Sequence, residues 1–220
     1  MDLRIPLIVV LMMLFQRDHW NQELHRPAQD LSTVTISASE TPDWLFPLII
    51  EFTKKKEGFM RRPYICPAGM VTVGYGHVIL NSSEFKTYRE VEADALLRKD
   101  FEKKMAWMKM NAPEGCKEYQ LWALTMLAMN CRMTKWKNST LRQKVIEYIH
   151  IPNRSCFVEL QDRWEAWSKI RSPKTKTRPA RVWRSKALVE RRHLEYLIFT
   201  GQWNKIKTEY AKYFPNQPVV

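Results

Sequence analysis

The pattern of apolar and polar positions divides the chain before any residue chemistry is considered. Residues Ile5 to Phe15, IPLIVVLMMLF, form an unbroken apolar run behind Arg4. The run is shorter than the roughly 20 residues of a membrane-spanning helix and has the length of an export-signal core. No small-x-small cleavage pattern follows, because Gln16, Arg17, Asp18, His19 and Trp20 come next. It reads as an uncleaved export signal or membrane anchor, as a cleaved signal peptide, or as a segment packed on the domain. From His19 to Glu40 the sequence is polar, with Ser32, Thr33, Thr35, Ser37 and Ser39 and no sustained period, which is linker composition. Three parts are expected: residues 1–20 as signal or anchor, 21–40 as linker, and 41–220 as the folded domain.

Inside that domain the period changes twice. Thr41, Pro42 and Asp43 make a helix entry, and Trp44, Leu48, Ile49 and Phe52 keep helical spacing as far as Glu57, where Gly58 can stop the helix. A turn-rich run with Pro63, Pro67 and Gly69 follows. Then Met70–Val73 and Val78–Leu80 are short β-type runs flanking Gly74-Tyr75-Gly76, which predicts a small antiparallel sheet. Later, Leu121 to Met129 is apolar nearly all round, the mark of a helix at the centre of a fold. Phe157 to Ile170 places Trp164 and Trp167 on one helical face, and Arg171–Arg184, with two prolines and six basic residues, reads as a surface loop.

Composition and charge narrow the class. A hydrophobic fraction of 45% with nine Trp and eleven Met is that of a globular chain. The formal charge of +13 calls for an anionic partner, whether nucleic acid, anionic membrane or acidic wall polymer. From Lys169 to Lys212 there are 13 Lys and Arg against three Glu, so this stretch supplies +10 of the excess, either as a solvated helical face or as a basic wall over a cleft. No nucleic-acid reading motif accompanies the charge. Cysteines 66, 116, 131 and 156 have neither CxxC pairing nor a companion His at metal spacing, which argues against zinc and favours free thiols over a disulfide.

The candidate chemistry lies between Glu57 and His77. Glu57 ends a helix beside Phe59, and a carboxyl group among apolar neighbours suits a general acid. The order is Glu57, eight residues, Cys66, five residues, Thr72, then Gly74-Tyr75-Gly76-His77. This pattern resembles the phage-type lysozymes, the T4-like and lambdoid endolysins, whose signature is a catalytic Glu, eight residues, an Asp or Cys, five residues, a Thr, and a GxGH segment. The likeness runs through most of residues 42–215, thinly after the sheet.

The resemblance implies an α+β lysozyme-like fold: a small β-sheet lobe and a larger helical lobe with the cleft between them. It implies catalytic roles for Glu57, Cys66 and Thr72, with Tyr75, His77, Asn130 and Arg191 supporting or binding substrate. Glu92–Asp100 looks like the helix after the small lobe, and His77 is expected to pair with Asp100 as a structural ion pair. Asn138-Ser139-Thr140-Leu141 resembles the entry of the next family helix. Ala187–Glu195 is similar to the family's late helix, in which an arginine holds the catalytic Glu. The assignment falls on Arg191, with Arg192 as the neighbouring alternative, and Gly201-Gln202-Trp203 matches the turn before the last helix.

The implied activity is hydrolysis of the β-1,4 bond between N-acetylmuramic acid and N-acetylglucosamine in peptidoglycan. It needs no cofactor or metal and no nucleic acid, and suits an exported monomer at the periplasm, cell envelope or exterior, tethered or not through residues 5–15. The alternative is a catalytically weak wall-binding or phage structural protein that retains the fold. The departure from the commoner pattern is Cys66 where many relatives carry Asp, since a neutral thiol is a weak base.

Overall fold

The computed structural model describes residues 41–66, 70–131, 133–171, 179 and 182–216. The expected signal or anchor and linker, and positions 67–69 of the Cys66-Pro67-Ala68-Gly69 turn, lie outside the described residues.

Helix α1 spans Leu45–Glu57, with Leu45, Leu48, Ile49, Ile50 and Phe52 buried on its inner side. Gly58, at φ 71, lets the chain leave the helix, and its N–H returns to the Lys54 carbonyl. Three strands follow, β1 (Met60–Ile65), β2 (Val71–Gly74) and β3 (His77–Val78), in the order β1-β2-β3 and antiparallel throughout. The first strand corrects the reading of this stretch as turns. Pro63 is admitted because β1 lies at the sheet edge, and its register against β2 is irregular between Met60 and Tyr64.

Helix α2, Glu90–Asn111, is about 33 Å long at 1.5 Å per residue. It extends well beyond the expected Glu92–Asp100. Ala93 and Leu97 face the sheet end, while Phe101, Met105 and Met108 enter the helical core. Gly74 is the closest approach of sheet to helix: at φ +64 a Cβ there would lie 2.9 Å from the Ala93 Cβ. Only glycine meets both the backbone angle and the contact.

Helix α3, Glu118–Asn130, has Ala123 to Ala128 buried without a break and packs chiefly against α7 and α2, so it is the central helix its sequence predicts. Helices α4 (Met133–Lys137), α5 (Thr140–His150) and α6 (Arg154–Glu165) surround it. Ser139 caps α5 by accepting the Arg142 N–H at 3.1 Å, and Asn153 caps α6 through the Cys156 N–H at 2.9 Å. Helix α6 stops at Glu165, so Trp164 is fully buried whereas Trp167 falls in the following 3-10 turn. The two tryptophans therefore do not share a helical face.

The segment read as a loop contains a two-stranded hairpin, β4 (Lys169–Arg171) with β5 (Val182–Arg184). Its length is enough for pairing once the prolines fall between the strands. Helix α7 (Lys186–Phe199) and helix α8 (Trp203–Tyr213) close the chain, and the Trp203 ring meets Trp44 and Tyr119 edge-on, with centroids 5.8 and 5.1 Å away. No described helix is long and apolar enough to cross a membrane.

Candidate active site

The end of α1 sets Glu57 where helix gives way to sheet, with its side chain 31% exposed. One oxygen, Oε1, lies 2.7 Å from Arg191 Nη2 on α7. On another side stands Gly76 at φ +88, where an added Cβ would come within 3.8 Å of Glu57 Oε2. The turn thus faces the carboxyl group with backbone alone and leaves room beside it.

Consecutive residues on α7 diverge by about 100°, and this separates the two arginines. Arg191 reaches Glu57, whereas Arg192 is fully buried and pairs with Glu195 at 2.6 Å and with Asn130 Oδ1 at 2.9 Å. Glu195 also accepts from Trp164 Nε1 at 2.9 Å. Burial alone drives its proton affinity up, while Arg192 and Trp164 oppose that.

The sheet register places Thr72 and Cys66 on a common face. Thr72 stands opposite Tyr64, and the Cys66 N–H bonds the Met70 carbonyl at 2.8 Å, two residues along each strand. Thr72 is buried, with its hydroxyl 3.5 Å from the Tyr64 carbonyl, and Cys66 is a half-buried free thiol.

Tyr75 and His77 both reach helix α2, and His77 makes the pair with Asp100 that the sequence suggests. Tyr75 is buried and donates to Glu90 at 2.6 Å at the start of α2. Burial first, then Glu90, raises its phenol pKa far above the ordinary value. His77 Nδ1 lies 2.7 Å from Asp100, with Glu84 3.8 Å from Nε2. Both residues fasten the sheet to α2. His77 does so from β3, opposite Val73, and Tyr75 from the turn between β2 and β3.

Asn130 ends α3 beside an open cavity of about 540 Å³, which Cys131, Lys135, Trp167, Lys169, Leu188 and Arg192 also line. Burial pushes the Cys131 thiol pKa up. This cavity was not legible in the sequence, because its walls come from four separated segments with no local motif. Among the described residues no group of three His, Cys, Asp or Glu side chains is arranged to hold a metal ion.

A three-stranded sheet seated on a long helix, and an arginine-held glutamate at the junction with a helical lobe, define a lysozyme-like α+β protein. The chain belongs to the phage lysozyme family, whose model matches residues 54–195. An endolysin of Acyrthosiphon pisum secondary endosymbiont phage 1 is 33% identical over 93 residues, 42% of this chain. The chain spans 62% of that relative's length. The endolysin from Escherichia coli O157:H7 phage FAHEc1 superposes with a TM-score of 0.53 at 21% identity, covering 69% of this chain and 90% of that one. The muramidase domain of SpmX from Asticaccaulis excentricus gives a TM-score of 0.54 at 21% identity, over 69% of this chain and 93% of that domain. These two likenesses concern the fold.

Proposed function

We propose that the protein is a peptidoglycan hydrolase, a muramidase that cleaves the β-1,4 bond between N-acetylmuramic acid and N-acetylglucosamine. The observation that carries the reading is Glu57, held at 2.7 Å by Arg191 and faced by the bare turn at Gly76. Family membership and the endolysin relative support it.

In this mechanism the Glu57 carboxyl donates its proton to the glycosidic oxygen as the bond to the anomeric carbon breaks, and water attacks that carbon from the opposite face. Arg191 fixes the orientation of the acid and faces the negative charge left on Glu57 once the proton has gone. The Thr72 hydroxyl orients the water. Cys66 stands where a second carboxylate would act as base, so its thiol is the partner of Thr72 and the weak point of the proton path. Asn130 borders the groove, and Tyr75 and His77 act by holding the sheet on α2.

The substrate places the protein at the cell envelope. Residues 5–15 supply the export signal or membrane tether, and the chain works as a monomer without cofactor. The basic stretch from Lys169 to Lys212 attracts the anionic wall. A catalytically weak wall-binding protein that retains the fold is the second reading, and the thiol at position 66, which the family signature admits, does not by itself argue for it. Glu57→Gln decides between them. Release of reducing ends from purified sacculi is expected to disappear while the melting temperature stays put, and full activity in the variant refutes the assignment of the acid. Sacculus binding by the parent without any release of reducing ends selects the second reading.

A further inference from the structure

Helix α1 ends in Lys54-Lys55-Lys56-Glu57, and all four side chains are tied to other elements. Lys54 lies 3.2 Å from Asp94 on α2, and Lys55 donates to the Tyr213 carbonyl at the end of α8. Lys56 pairs with Glu190 and Glu57 with Arg191, so two successive residues of α1 meet two successive residues of α7. The polarity reverses from one pair to the next. Tyr213 touches both members of the first pair: its ring centroid lies 4.2 Å from Lys56 Nζ, and its hydroxyl donates to Glu190. Lys56 Nζ also stands 5.3 Å from the centroid of the Phe52 ring, which meets Tyr213 edge-on. The bond from Lys56 outweighs burial and holds the Glu190 carboxyl below the usual range, while burial and then Glu190 push the Tyr213 phenol up to about 12. At 14% and 27% exposure, Lys56 and Glu190 are largely withdrawn from water.

We infer that Lys56, Glu190 and Tyr213 are positioning residues for the Glu57–Arg191 pair, acting on the reaction by fixing how the last turn of α1 seats on α7. The inference rests on the hydrolase reading and adds residues that lie outside the motif carrying it. The last turn of a helix has no following turn to hydrogen-bond its carbonyls, and the chain leaves α1 at Gly58, so the backbone alone holds Glu57 weakly. A single ion pair is a pivot. A second one at the adjoining position stops the turn from rotating. The order of charges also fixes register, because a slip of one residue sets Glu57 against Glu190 in one direction and Lys56 against Arg191 in the other, like charges both times. Glu190 is moreover the chain neighbour of Arg191. Engaged by Lys56 and Tyr213, it does not compete with Glu57 for the guanidinium. A lysine that served only the helix dipole would need no partner on α7.

The test uses the full chain and has a kinetic arm and a spectroscopic arm. Lys56→Met keeps the stem and removes the charge, and it is expected to lower kcat for reducing-end release about tenfold with KM within about twofold of the parent. Lys56→Arg keeps the pair and is expected to retain kcat to within about threefold. Glu190→Gln should match Lys56→Met, and the double variant should be no worse than either single change, because the pair acts as a unit. Lys144→Met, which cuts the Lys144 pairs with Glu147 and Glu159 between α5 and α6, is the control and should keep the parent kcat. Parent-like kcat in Lys56→Met, a loss carried by KM, additive losses in the double variant, or failure of Lys56→Arg to retain activity overturns the inference. Should Lys56→Met not fold, Tyr213→Phe removes only the hydroxyl bond to Glu190 and is expected to lose about threefold in kcat, a parent value again overturning it. In the spectroscopic arm, the Arg191 Nε–H NMR signal, assigned by its absence in Arg191→Gln, is expected to exchange with water about fivefold faster in Lys56→Met, and unchanged exchange overturns the inference. If the parent releases no reducing ends, the hydrolase reading fails, while the arginine signal still decides whether Lys56 seats the pair.

Discussion

Arg191 and Arg192 are neighbours in sequence, but replacing each by glutamine should have opposite effects. In Arg191→Gln the lost contact is a 2.7 Å ion pair whose acid partner is 31% exposed. Unit charges about 4 Å apart at an effective dielectric of about 20 give a ceiling near 4 kcal/mol. Solvent reaching Glu57 brings the net contribution to stability down to about 1 kcal/mol or less. The larger effect falls on turnover, because the acid loses its fixed orientation. A loss of about 1.4 to 2.7 kcal/mol at the transition state is a 10- to 100-fold drop in kcat. In Arg192→Gln both partners are out of water, with Glu195 at 1% exposure and Arg192 at 0%. Removing one member of such a pair costs about 3–5 kcal/mol, because the remaining charge is stranded. For a domain of this size that lowers the melting temperature by roughly 10 °C. Urea melts and reducing-end release, run side by side on both variants, read the two quantities. The reasoning fails if Arg191→Gln is the more destabilised protein, or if Arg192→Gln melts like the parent.

Two further expectations concern the packing around α2. Gly74→Ala combines a positive φ with a 2.9 Å clash against Ala93 and should cost roughly 2–4 kcal/mol in a urea melt. Adding Ala93→Gly should recover the part due to the clash, and no coupling between the two changes would refute the close approach. Asp94 is penalised by burial, but Arg98 at 2.7 Å and Lys54 at 3.2 Å outweigh that and hold its pKa below the ordinary value. A depressed carboxylate stabilises the fold above its unfolded pKa of about 3.9, and that contribution is lost as pH falls through the folded value. The gap in melting temperature between parent and Asp94→Asn should therefore be open at pH 7 and close below about pH 4. A gap that widens on acidification would reverse the sign of the argument.

What the sequence disclosed and what it hid follow from how local each signal is. The helix ending at Glu57, the all-apolar centre of α3 and the helix entry at Asn138–Leu141 depend on neighbours within a turn or two, and each lies where its pattern places it. Strand β1 was masked by Pro63, which is acceptable only at an edge, and edge status depends on the whole sheet. The hairpin β4/β5 was masked by basic and proline-rich composition, although pairing takes only three residues from each end of that stretch. Tyr75 sits in the signature motif, and the motif cannot say that its hydroxyl turns to Glu90. The choice between Arg191 and Arg192 was a question of helical phase, answered by what surrounds α7.

Helix α2 carries a consequence for how the molecule comes apart. Its first half holds the sheet through Ala93 and the Asp100 pairing with His77, and its second half supplies Phe101, Met105 and Met108 to the helical interior. One rod is therefore a structural member of both lobes, so loss of packing in either is felt by the other through it. A single proteolytic cut near Leu97 would unseat the sheet and the core packing together, and with them the scaffold that Glu57 and Arg191 span.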